Sequence, residues 1–256
     1  MAGSNWIPVL YASFVLLGLT LGSFANVLIY RLPRDIPFVS DYSKCPVCGT
    51  RIRAYDLIPV VSFILLRGKC RACGANIPGR YPLVELAGGL LALTAAARYG
   101  LTAEGILYVL FFLTLLTVAV IDGQHMIIPD GLVITLAVLA VPLTALAWGH
   151  GAWYSRIAGF FALSLPMLTA NMFIKDAFGG GDIKLIAVCG FLLGLGSALA
   201  AGFIGIVTAG ARAAAIMLSG RPCKGVRIPF GPYLCFGVFA ACLYGERIVN
   251  WYLGWL

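Results

Sequence analysis

Residues 104–122 read EGILYVLFFLTLLTVAVID, an apolar run from Gly105 to Ile121 that contains no charge and ends on Asp122. A helix needs roughly 20 mostly apolar residues to cross a bilayer, and this stretch meets that length almost alone. Similar runs recur on both sides of it. The expected spans are Trp6–Ile29, Pro82–Arg98, Glu104–Ile121, Leu132–Trp148, Arg156–Ile174, Ile183–Gly196, Ala198–Leu218 and Pro232–Trp251. The sixth is short and joins the seventh through Gly194, Gly196 and Ser197, so seven spans with a tight re-entrant turn is the alternative to eight. The composition agrees: 61% apolar residues, 11% charged residues and a mean hydropathy of +0.96 over 256 residues make the bilayer the solvent. The first run has no basic residue before it and continues to Tyr30 without a small-residue cleavage site, so it reads as an anchor and not a signal peptide. The expected fold is an all-α polytopic transmembrane bundle in three parts. These are a first helix (1–30), a cytoplasmic loop module (31–80) and a membrane core (81–256).

Nine of the 18 Lys and Arg residues fall between Arg31 and Arg80. The positive-inside rule makes that loop cytoplasmic. Alternation through eight spans then puts Lys175 and the Arg221/Lys224/Arg227 cluster inside and both termini outside, with Trp6, Trp251, Tyr252 and Trp255 at interfacial depth. The net charge of +8 follows from this bias and from attraction to anionic lipid. Nucleic-acid binding is not expected, because the basic residues are not interleaved with aromatics on one face.

The basic loop holds Cys45-Pro-Val-Cys48 and Cys70-Arg-Ala-Cys73, each followed by glycine (Gly49, Gly74) and separated by 21 residues. Two such pairs are the signature of a tetrathiolate site, and zinc suits four sulfurs without redox chemistry. Two disulfides or free thiols are the alternatives, and a cytoplasmic location argues against disulfides. Cys189, Cys223, Cys235 and Cys242 lie in or beside apolar runs and read as packing residues.

Ionisable groups inside apolar spans are costly and call for a reason. Asp122 closes the third span, and Asp182 follows Gly179-Gly180-Gly181 to open the sixth, so the helix count puts both at one membrane face. Two nearby carboxylates in a low dielectric share a proton and can activate water. The triple glycine would let a substrate backbone approach. Singly, Asp182 also reads as a helix N-cap and Asp122 as a snorkelling end residue partnered by His125 or a lysine. Asp130 reads as the start of a helix, and Lys184 either balances the dyad or snorkels.

Several motifs occur in order: Gly22-Ser23-Phe24-Ala25-Asn26-Val27 running into Tyr30-Arg31-Leu32-Pro33, the two CxxC pairs, Arg80-Tyr81-Pro82-Leu83-Val84-Glu85, Ile121-Asp122 with Ile128-Pro129-Asp130, Gly179-Gly180-Gly181-Asp182-Ile183-Lys184, and Pro229-Phe230-Gly231-Pro232. Together they resemble the bacterial prepilin peptidase (type IV leader peptidase) family of GxGD aspartic membrane proteases over nearly the whole chain. The resemblance implies an inner-membrane endopeptidase that removes basic leaders from type IV prepilins or pseudopilins of pilus or type II secretion systems, with Asp122 and Asp182 catalytic. It also implies methylation of the new N-terminus from S-adenosylmethionine, with Glu85 in the region linked to that activity. Ile121 stands where the presenilin-type branch has tyrosine. Leader recognition by Asp35, Asp41, Asp56 and Asp176 is a further expectation. The rival functions are an ion-coupled transporter using intramembrane carboxylates and a zinc-binding membrane scaffold.

Overall fold

The computed structural model describes residues 6–37, 42–146, 153–174, 177–219 and 228–255. Trp148, Lys175, Asp176, Asp41, Cys223 and the Arg221/Lys224/Arg227 cluster therefore lie outside the described residues. The described chain is helical: α1 (Ile7–Arg31), the short α2 (Val61–Leu65), α3 (Arg80–Tyr99), α4 (Ala103–His125), α5 (Asp130–Leu146), α6 (Trp153–Phe173), α7 (Gly180–Leu193), α8 (Leu195–Leu218) and α9 (Gly231–Leu253). The only β pairing among the described residues consists of two isolated bridges, Lys44 with Arg51 and Lys69 with Asn76.

Helices occupy all eight places expected from the apolar runs, but among the described residues α1, α4, α6, α8 and α9 alone are long and apolar enough to cross a membrane by length and composition. Helix α5 is apolar but has 17 residues, and α7 has 14, about 21 Å of helix against a hydrocarbon core near 30 Å. Helix α3 is diluted by Arg80, Glu85, Arg98 and a run of Gly and Ala. That composition serves packing.

The chain divides into two compact units, Met1–Leu113 and Thr114–Leu256. In the first, α1 lies along α3. Gly18 and Gly22 of α1 meet Gly88 of α3 so closely that a side-chain carbon added at Gly88 would sit 2.5 Å from the Gly18 carbonyl. Small residues four apart let helix backbones touch where lipid supplies no hydrophobic drive for association. Asn26 ties the same pair together by donating to the Tyr81 carbonyl at 3.0 Å.

In the second unit α6 packs on α7 and α8, α5 on α7, and α9 on α7 and α8. Helices α7 and α8 are separate elements joined at Gly194, whose φ of +75° is a conformation that glycine adopts freely. Ser155 Oγ accepts the Leu195 N–H at 3.2 Å just after that turn. The break ends α7 before α8, and because α7 starts at Gly180, Asp182 stands in its first turn.

Candidate active site and metal centre

Helix α4 delivers Asp122 near its C-terminal end, where the residue is 6% exposed. Its Oδ2 accepts the backbone N–H of Gly231 at 3.0 Å, from the first residue of α9. Burial and a backbone donor exclude the snorkelling reading, and His125 is exposed at the end of α4. Gly231 fits closely against that carboxylate. A Cβ on it would lie 2.7 Å from Asp122 Oδ2 and 2.9 Å from Cγ, inside van der Waals contact. The sequence singled out Pro229-Phe230-Gly231-Pro232 as a motif without giving it a role; the readable signal was a glycine between two prolines at a helix start.

Asp182 stands in the first turn of α7, and the N-cap position belongs to Gly179, so Asp182 is not the N-cap. It is half-buried, and its Oδ1 is shut from solvent with no hydrogen-bond partner. A buried, unpartnered carboxylate oxygen is costly unless something else occupies it in function. Asp122 is close enough for its charge to be felt at Asp182. Around them, the Phe178 and Phe230 rings lie 6.2 Å apart and link the segments that lead into α7 and α9.

The three glycines before Asp182 differ. A side chain at Gly180 would meet nothing within 4 Å, one at Gly179 would touch Asp182 Oδ2 at 3.0 Å, and one at Gly181 would collide with Ile128 at 2.8 Å. Only Gly180 faces open space, which narrows the place where a substrate backbone could approach. Lys184 does not balance the dyad: its Nζ pairs with Asp130 Oδ1 at 2.8 Å, with both side chains largely exposed. Asp130 opens α5, as the sequence suggested.

In the other unit the two CxxC pairs form matching knuckles. Cys45 N–H donates to Thr50 and Gly49 N–H back to Cys45, at 3.0 and 2.9 Å; Cys70 N–H donates to Ala75 and Gly74 N–H back to Cys70, at 2.8 and 2.9 Å. Gly49 and Gly74 close these turns with φ of +69° and +72°. Sγ atoms of Cys45, Cys48, Cys70 and Cys73 all lie within 4.8 Å of one another. A tetrahedral ion with metal–sulfur bonds of about 2.3 Å would hold sulfurs about 3.8 Å apart, and Cys45 and Cys73 are already 3.9 Å apart. Hydrogen bonds with the Thr50 side chain and backbone pull the Cys48 thiol down to about 6. A hydrogen bond with the Ala75 backbone lowers Cys73, but desolvation and the other three cysteines outweigh it and hold this thiol at about 11. Four sulfurs converge here, and a divalent cation would stabilise all four as thiolates, so the residues fit a metal ion.

Glu85 is buried on α3 and its Oε2 accepts the Val60 N–H at 2.7 Å, inside the unit that holds the cysteines. Asp56 is committed to Arg71 through a two-pronged ion pair at 2.7 and 3.0 Å, so it is not free for a substrate. Asp35 is exposed after the first helix.

Comparison with known proteins adds the following. The sequence model described as the Bacterial Peptidase A24 N-terminal domain matches residues 16–99, and that of the Type IV leader peptidase family matches residues 109–214. The chain is similar to a Prepilin leader peptidase/N-methyltransferase of Bacillus subtilis, 35% identical over 242 residues, covering 92% of this chain and 95% of that protein. Proteins of the same name from Stutzerimonas stutzeri and Pseudomonas aeruginosa are 35% and 34% identical over 267 and 274 residues, each covering 93% of this chain and 92% of the relative. No solved structure matches the chain.

Proposed function

The chain belongs to the type IV leader peptidase family, and on that premise we propose that Asp122 and Asp182 are the two carboxylates with which it cleaves its substrate. The family and the names of its relatives make it a multi-pass membrane enzyme of prepilin cleavage and N-methylation. What supports the assignment of the dyad is that Asp122, buried and fixed by the Gly231 amide, is close enough for its charge to reach Asp182, whose Oδ1 has no partner.

The chemistry follows from that pairing. One carboxylate, deprotonated, takes a proton from water as it attacks the scissile carbonyl, while the other, protonated, hydrogen-bonds the carbonyl oxygen. The roles exchange as the leaving amine receives its proton. Gly231 keeps Asp122 from rotating away, and Gly180 leaves room for an extended peptide beside Asp182. A proton-coupled carrier would also use membrane carboxylates, but nothing specific to this pair favours one.

The four cysteines would hold one structural zinc ion, which would supply the folding energy of residues 31–80 and no step of the peptidase reaction. The positive charge of that loop supports a cytoplasmic loop in an inner-membrane protein, and alternation of the expected spans supports a cytoplasmic dyad and periplasmic termini. Type IV prepilins or pseudopilins are the substrates, and S-adenosylmethionine is the methyl donor. Incubating the detergent-purified protein with a prepilin and S-adenosylmethionine, and reading the product's N-terminus by mass spectrometry, tests the reading as a whole. A trimmed, methylated N-terminus supports it, and a prepilin left at full length sinks it.

A further inference from the structure

Helix α2, in the insertion between α1 and α3, turns its apolar side outward. Ser62 is buried and donates its hydroxyl to the Tyr55 carbonyl at 2.8 Å. Val61, Ile64 and Leu65 share the opposite, outward face at helical spacing, and Ile64 and Leu65 are 67% and 76% exposed. Leu57 and Ile58, just before the helix, are exposed as well. Aliphatic side chains exposed together in this way mark a contact surface.

The level of that surface can be read against α1, which is long and apolar enough to cross a membrane. The first charged side chain of the sequence is Arg31, in the last turn of α1, and it marks where the hydrocarbon ends. Helices α1 and α3 run antiparallel: Gly18 meets Gly88, a Cβ on Gly22 would stand 3.0 Å from Glu85 Cα, and Asn26 donates to the Tyr81 carbonyl. At about 1.5 Å per helical residue, Asn26 lies about 7.5 Å short of Arg31 and Gly22 about 13.5 Å short. Glu85 is buried on the second turn of α3, its side chain tilts toward the Tyr81 end of that helix, and its Oε2 accepts the Val60 N–H at 2.7 Å. Val60 is thereby held level with the stretch of α1 between Gly22 and Arg31, and α2 begins at the next residue. Phe24, on that same stretch of α1, is exposed. An amide at lipid depth is costly without an acceptor, and the Glu85 carboxylate supplies one. Arg67 and Lys69 follow α2 and are exposed, so cations of the kind that meet lipid phosphates edge the aliphatic face.

We propose that α2, with Leu57 and Ile58, is an interfacial anchor whose aliphatic face is sunk among the acyl chains of the phospholipid leaflet on the insertion's side. Lipid is the occupant because the face lies below the level of Arg31, is continuous in depth with the exposed Phe24, and is bordered by cations. The anchor goes beyond the cleavage and methylation reading and does not depend on it.

Ile64→Trp and Leu65→Trp test it in the full-length protein, reconstituted into vesicles of phosphatidylcholine and phosphatidylglycerol. Emission of the added indole, taken as the difference from wild type, is read with bromine carried on the upper half of the acyl chains and, separately, with acrylamide in the water. Bromine should lower the added emission at least about 2-fold in both variants, and acrylamide should change it by less than about 1.5-fold, as for a side chain below the headgroups. Strong quenching by acrylamide without quenching by bromine would overturn the proposal. So would shielding from acrylamide that appears only when a prepilin is added, or only at a high ratio of protein to lipid, since the surface would then belong to the substrate or to a second copy of the chain. If one variant does not fold, judged by thermal melting, the other alone decides, because both positions lie on the same face of α2.

Discussion

Replacing Gly231 by alanine perturbs the dyad without touching either aspartate. The new Cβ would stand 2.7 Å from Asp122 Oδ2, so restoring ordinary contact at 3.4 Å requires a shift of about 0.7 Å between the carboxylate and the start of α9. Pro232 follows directly and stiffens the backbone, so the carboxylate is the group that moves. Its bond to the Gly231 amide, now 3.0 Å, lengthens or breaks, and a bond to a charged acceptor is worth about 1.5–3 kcal/mol. Misplacing a reacting group by about 1 Å costs on the order of 100-fold in rate. Gly231→Ala should therefore lower kcat for prepilin cleavage by roughly 30- to 100-fold with KM little changed, measured by gel shift of a purified prepilin in detergent. Cleavage within about 2-fold of wild type, at equal thermal stability, would show that the amide of Gly231 does not position Asp122.

Other outcomes follow from the same geometry. Asp182→Ala should abolish detectable cleavage while leaving the melting temperature within a few degrees, since the residue buries an oxygen that bonds nothing. Cys45→Ser or Cys70→Ser should release the bound metal, measured by elemental analysis, and make the insertion sensitive to protease, with methylation impaired more than cleavage. Full function after loss of two ligands would refute a structural metal. Lys184→Ala removes an exposed ion pair worth about 0–1 kcal/mol, so cleavage and stability should stay within about 3-fold and 1 kcal/mol of wild type. A large loss of kcat would restore Lys184 to the dyad.

What could be read from the sequence divides along a physical line. Asp122 and Asp182 stood out because a charge that ends or opens an apolar run carries a solvation cost visible in one dimension. The cysteines stood out because a CxxC turn already brings two sulfurs together locally, and a second pair needs only a chain return. The roles of Gly231, marked only as part of a motif, and of Val60 were not legible, since each contributes a backbone amide, a group that every residue but proline has. The pairing of Lys184 with Asp130, 54 residues away, depends on how α5 lies along α7, and the local pattern around either residue says nothing of it. The run Pro82–Arg98, expected as a span, is a helix, α3, but it falls short of the apolarity that marks a membrane-crossing helix. Its Gly and Ala residues serve a close crossing with α1, and such a helix has little of the bulk that marks a lipid-facing span.

The most direct test of the paired-carboxylate claim compares single and double substitutions. Cleavage rates of Asp122→Asn, Asp182→Asn and the double variant are measured on one prepilin, with folding of each checked by thermal melting. Groups that act as one unit lose function together, so each single variant should fall as far as the double, to the background of the uncatalysed reaction. A single variant that keeps substantial cleavage, with the double losing the product of the two effects, would mean that the aspartates act independently and that the proton-sharing pair is wrong.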